Sequence, residues 1–109
     1  MRFTWDPVKS ERNLRTRGLS FADAARMWDA PMFVWIDARK DYGETRSIGV
    51  GVSGGRAMVV GWVRREDDLV HIFTFRKANA REAQRYGEFL ARQDTGPAEG
   101  EQITGPRTH

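Results

Sequence analysis

Two adjacent cations, Arg76 and Lys77, close an alternating apolar segment, and Asn79 opens a helical pattern two residues later, with Glu82 three positions on. Asn at an N-cap with Glu at the third helical position is the spacing of a capping box. Cations at a strand end, beside a helix N-terminus that itself carries partial positive charge, suit phosphate or another anion. Arg65 is a third cation at an expected strand end. A guanidinium stays charged at neutral pH and reaches two oxygens at once. Arg65, Arg76 and Lys77 are therefore the candidates for holding an anion and stabilising its charge. Simple antiparallel pairing puts Arg65 and Arg76 toward opposite ends of one hairpin, so other groups must lie between them if they share a site.

The remaining candidates are ambiguous in instructive ways. His71 shares an expected strand face with Leu69, Phe73 and Phe75, where a hydrogen-bonded structural imidazole is the plainer reading and a catalytic one the sharper. Glu82 has the chemistry of a base, yet its capping spacing already explains it. Glu44 has Arg46 and other arginines within reach. Phe73 and Phe75, at alternate strand positions, match both a core face and the stacking platform of an RNA-binding sheet. Trp35 and Trp62 would meet a base only if one sheet face is open. No zinc-ligand cluster, phosphate-binding glycine loop, dinucleotide fingerprint or Ser-His-Asp spacing is present, so no metal and no cofactor is expected. The absence of cysteine excludes disulfides and a cysteine nucleophile and fits a reducing compartment.

The elements that must position these residues follow from pattern. With 109 residues, 39% of them apolar and 30% charged, the chain reads as one ordinary globular domain rather than a disordered one. A net charge of +3 with pI near 9.8 favours an anionic partner, nucleic acid or acidic protein, without singling one out. The N-terminus lacks the apolar stretch of a signal peptide and no run matches a membrane span, so the cytoplasm is the expected location.

Arg2–Trp5 alternates as a short strand. Asp6-Pro7 announces a helix through Arg17, stopped by Gly18. Lys9, Arg12, Asn13 and Thr16 share one side of it, with Arg17 close by, as either a solvated face or the cationic wall of a groove. Ser20 and Asp23 have capping-box spacing, and Phe21, Ala24, Ala25 and Trp28 give a second, amphipathic helix.

Four strands are expected over 32–38, 45–53, 56–65 and 69–75, the last three joined by short turns as an antiparallel meander, with Gly54-Gly55 as a tight hairpin turn. Gly49 and Gly51 on one face of the second mark a bend or a close approach to the backbone. A last helix runs from about Asn79 to Ala91. The expected architecture is α+β, a mainly antiparallel sheet in the order β-α-α-β-β-β-β-α with helices mostly on one face, Phe21, Trp28 and Leu90 packing there together. Residues 1–92 form the domain, and 93–109, rich in Gly, Pro, Thr and acidic residues, read as a flexible tail.

Trp5-Asp6-Pro7, Lys9, Asn13-Leu14, Gly18, Ser20-Phe21 and Ala24, followed by Glu44 and Arg46, Arg56, Arg65, Arg76-Lys77-Ala78, Glu82 and Tyr86, resemble the BrnT family of type II toxins in order and spacing. The likeness spans roughly Phe3 to Tyr86. It implies a RelE-like ribonuclease that cleaves RNA and inhibits translation. It also implies neutralisation by a BrnA antitoxin, whose complex with the toxin acts on operator DNA. Where family members commonly carry Lys-His-Gly at the end of the first helix, this chain has Thr16-Arg17-Gly18, and Arg17 cannot act as a base at neutral pH.

Cleavage of RNA by its own 2′-hydroxyl needs a proton acceptor, stabilisation of charge on the phosphoryl oxygens, and help for the leaving oxygen. Arg65, Arg76 and Lys77 suit the second role without a metal, and Tyr86, one turn past Glu82, is a proton relay if its helix folds back over the strand end. Lys9, Arg17 and Trp62 are the expected RNA contacts. The alternative is a toxin-like binding module with weakened chemistry, acting through antitoxin binding and operon autoregulation.

Overall fold

The computed structural model describes residues 1–39, 41 and 43–95. Five strands, β1 (Arg2–Trp5), β2 (Phe33–Ile36), β3 (Ser47–Ser53), β4 (Arg56–Glu66) and β5 (Leu69–Lys77), form one sheet in the order β1-β5-β4-β3-β2. β2 to β5 are antiparallel neighbours, and β1 adds to β5 in parallel through Arg2↔Leu69 to Trp5↔Ile72. The β3–β4 turn is Gly54-Gly55, with φ of 63° and 77°, the left-handed geometry that glycine adopts without strain.

Helix α1 (Pro7–Arg17) begins where Asp6 accepts the Val8 N–H and Pro7 occupies the first turn, and it ends at Gly18 in left-handed geometry. The capping box expected at Ser20 does not form: the Ser20 side chain makes no cap bond to α2 (Phe21–Ala24). Ser10 of α1 accepts the Phe21 N–H instead, at 2.9 Å. After one turn the chain tightens to a 3-10 segment, Ala25–Asp29, and this buries Phe21, Ala24 and Met27.

The helices are not gathered on one face. Met58, Val60, Trp62, Val70, Ile72 and Phe75 pack with Phe21, Ala24 and Met27. Val50 and Val59 pack with Tyr86 and Phe89 of α3 (Ala80–Thr95) and with Leu90. Residues 58 and 60 against 59 are opposite faces of one strand, because side chains alternate. Leu90 is thus separated from Phe21 and Trp28 by the sheet. The expectation failed because periodicity shows that a helix has an apolar stripe but not which sheet face receives it. Helix α3 runs through Thr95, and residues 96–109 of the expected tail lie outside the described residues.

Gly49 and Gly51 permit close approach. A Cβ at Gly49 would stand 3.1 Å from Met32 Sδ and Trp62 Cζ3, and one at Gly51 would stand 2.9 Å from Met32 Cγ. The first face is closed by an aromatic chain, Phe3 to Trp28 to Trp62, with centroids 5.0 and 4.9 Å apart in edge-to-face contact.

Candidate functional site at the β5 bulge

The register between β4 and β5 breaks once in the middle. Val59 faces Arg76, Val60 faces Phe75 and Gly61 faces Thr74, but Trp62 faces Ile72, leaving Phe73 as an extra residue. Such a bulge shifts the alternation of everything beyond it. Ile72 and Phe75 consequently share the buried first face, whereas Phe73 and Thr74 both turn to the second face. There they lie over Gly61: a Cβ at that glycine would come within 2.7 Å of Phe73 Cζ and Thr74 Cγ2. Phe73 and Phe75 are therefore not one platform. Phe75 is core at 1% exposure, and Phe73 is half-buried at the surface.

The second face leaves part of the sheet outside the cover of α3. A cleft of about 550 Å³ lies there, lined by Trp35, Asp37, Arg39, Arg46, Phe73, Thr74, Arg76 and Glu82, among others. The Arg46 guanidinium stands over the Phe73 ring, 4.7 Å from its centroid, in a cation–π contact. Arg46 also meets Glu44 at 3.2 Å, and the other oxygen of Glu44 meets Arg65 at 3.4 Å. Arg65 does not line the cleft. It reaches the site only through Glu44 and Arg46, which are the intervening groups that the opposed hairpin ends require.

Arg76 is fixed at the other end. Its Nη1 and Nη2 donate to the two oxygens of Glu82 at 2.9 and 2.8 Å, and Nη1 also donates to the Lys77 carbonyl at 3.2 Å. Glu82 accepts the Asn79 N–H, and Asn79 accepts the Glu82 N–H in return, so the capping box at α3 is complete. The hydrogen bonds from Arg76 hold the Glu82 carboxyl below its ordinary range, and those to Glu82 raise the guanidinium pKa. Lys77 is not its companion. It pairs with Met58, a first-face residue, so alternation sends the two cations to opposite sides of the sheet.

Phe73 and Thr74 also line a second, smaller groove of about 220 Å³, with Lys9, Arg12, Asn13, Thr16 and Arg17 on its α1 wall. Asn13 holds α1 there: its Nδ2 donates to the carbonyls of Leu19 at 2.9 Å and Phe75 at 3.0 Å, past the end of the β1 pairing. The polar side of α1 is thus the wall of a groove. Phe73-Thr74 is the saddle between the two cavities.

Two further expected site residues, Trp62 and Tyr86, lie elsewhere, and His71 makes the structural contact that was the plainer reading of it. Trp62 is 3% exposed and sealed in the first core, out of reach of a base. Tyr86 is buried against Phe89, its hydroxyl donates to the Pro31 carbonyl at 2.9 Å, and burial pushes its pKa up; it docks α3 onto the chain before β2 and lines neither cavity. His71 faces Thr4 of β1, with Nδ1 2.9 Å from Oγ1. Asp37 is the residue whose place in the site the sequence did not suggest. Its side chain is 7% exposed, and both its oxygens meet Arg39, each at 2.9 Å. A short acidic residue just past a strand carries no signal of such burial.

Comparison with known proteins bears on this geometry. Residues 5–82 match the model of the family described as the ribonuclease toxin BrnT of type II toxin–antitoxin systems. The chain belongs to the BrnT family. A crystal structure of the Brucella abortus ribonuclease toxin BrnT shares the fold, with a TM-score of 0.54, 23% identity, and coverage of 72% of this chain and 97% of that one. No curated protein matches the sequence significantly. Membership in the BrnT family brings with it a protein antitoxin as partner. The matched span contains the bulge, Arg46, Arg76 and Glu82, and therefore the whole cleft. Among the described residues, no helix is long and apolar enough to cross a membrane.

Proposed function

We propose that this BrnT-family chain is a metal-independent endoribonuclease of RelE-like type that cleaves RNA and inhibits translation in the cytoplasm. A BrnA-type antitoxin neutralises it, and operator DNA is met only by the complex. The observation that carries the reading is that Arg46 and Arg76 line one cleft together with Phe73 and Thr74.

Arg46 and Arg76 stabilise the charge that develops on the phosphoryl oxygens when the 2′-hydroxyl attacks. Groups already held in place do this without reorganisation. Glu82 pre-positions Arg76, which retains further N–H donors on its fork for phosphate. Arg65 acts at one remove, by sharing Glu44 with Arg46.

Among the described residues, two carboxylates line the cleft, Asp37 and Glu82. Glu82 is committed to Arg76 and to the helix cap, and its lowered pKa makes it a poor base. Asp37, the other carboxylate lining the cleft, is assigned as proton acceptor by elimination. Lys9 and Arg17 hold flanking phosphate from the α1 groove, with Arg12 between them in sequence.

The test is cleavage of RNA in EDTA by the purified, antitoxin-free chain beside Arg76→Ala. Cleavage by the first and its loss in the second are expected. Intact RNA from a folded wild-type chain overturns the reading.

A further inference from the structure

We propose that Phe73 stacks the nucleobase next to the cleaved bond, and that the substrate is accordingly single-stranded RNA with that base turned out of any stack. This rests on the cleavage reading for its place in a reaction, but its physical basis is separate.

One extra residue in β5 turns Phe73 onto the open face while Phe75 stays in the core. Gly61 is the opposing residue, and any side chain there would collide with the ring. The ring is thus held at the surface by local geometry that the core does not require. It also touches both cavities, with Arg46 and Arg76 on one side and Lys9, Arg12 and Arg17 on the other. A strand whose successive phosphates lie in the two cavities must carry its base across the saddle, over Phe73.

Arg46 lines only the larger cleft and covers the ring from that side. The base stacks from the side of the α1 groove. Bases in an A-form duplex are not open to such contact, whereas those of a single strand are. Every base has a π-face, so Phe73 fixes position and strandedness rather than base identity.

The experiment measures binding of a fluorescent, fully 2′-fluoro single-stranded oligonucleotide, which lacks the attacking hydroxyl, by anisotropy. Wild type, Phe73→Leu and Phe73→Tyr are compared, with the same sequence as a duplex and with cognate antitoxin as a second ligand. Leucine keeps apolar volume over Gly61 and removes the π-face; circular dichroism verifies the fold. Phe73→Leu is expected to weaken single-strand binding about 5- to 100-fold with an unchanged salt slope, and Phe73→Tyr to stay within about 2-fold. The duplex is expected to bind more weakly than the single strand.

Equal binding by wild type and Phe73→Leu overturns the proposal, as does equal loss in leucine and tyrosine variants or duplex binding as tight as single-strand binding. A Phe73→Leu defect confined to antitoxin overturns it too, and makes the ring a protein-docking group. Phe73-dependent binding by a chain that cleaves no RNA leaves this inference standing and removes the cleavage reading alone.

Discussion

The two faces of the sheet are made from the same strands and do opposite things. The first face is covered by α2 and the 3-10 segment, and its core side chains, Met58, Val60, Trp62, Val70, Ile72 and Phe75, are almost wholly out of water. The second is covered by α3 around Phe33, Val50 and Val59, and beyond that cover it presents Arg46, Phe73, Thr74 and Arg76 to a cleft. The first face has to be apolar and space-filling. The second has to hold charges still. What divides them is the period of two along each strand, and what enlarges the second is the bulge that turns one more aromatic toward it.

The largest expected effect separates the faces by stability. Trp62 fills the first core against Trp28 and the Cα of Gly49, so Trp62→Ala should cost about 3–5 kcal/mol in denaturant unfolding. Arg76→Ala on the other face should lower RNA cleavage by about 100- to 1,000-fold, the effect of removing one pre-positioned charge stabiliser. Its unfolding midpoint should move far less than that of Trp62→Ala. If the tryptophan variant proves stable while the arginine variant unfolds, the division of labour between the faces is reversed.

How much of this was legible in the sequence depended on whether the signal was local. Asp6, Pro7 and Gly18 announced α1, Gly54-Gly55 announced the hairpin, and Asn79 with Glu82 announced the α3 capping box, because caps and tight turns are settled by neighbours in the chain. The Ser20 box had equally good spacing, but the Asp23 N–H donates to the Ser20 backbone carbonyl and the Phe21 N–H to the Ser10 hydroxyl of another helix. The bulge at Phe73 is a matter of register between two strands, and neither strand alone records it. That single shift misplaced Phe75 relative to Phe73. Arg46 was visible as one of several arginines, yet its position above Phe73 depends on the β3–β4–β5 register.

A smaller effect tests whether Tyr86 belongs to the chemistry or to the packing of α3. Its hydroxyl is given to the Pro31 carbonyl and its ring to Phe89. Tyr86→Phe should therefore lose about 1 kcal/mol of stability, the usual net value of such a hydrogen bond, and leave the cleavage rate within about 2-fold. A large fall in rate at unchanged stability would bring Tyr86 back as the proton relay.

The smallest effect concerns the link between cap and cleft. The Glu82 carboxyl is held below its ordinary 4.5 by Arg76 and the Asn79 N–H. A carboxyl depressed by folding stabilises the native state above its unfolded pKa, and that contribution is lost as pH falls through the folded value. Glu82 should thus contribute fully at neutral pH and progressively less below about 4.5. Glu82→Gln keeps the size and one acceptor but not the charge, so it should be less stable than wild type by about 0.5 kcal/mol at pH 7. The two stability curves should converge in acid, as followed by urea unfolding at a series of pH values. A constant offset across the series would mean that glutamine disturbs the packing around Asn79 rather than removing an ionised partner of Arg76.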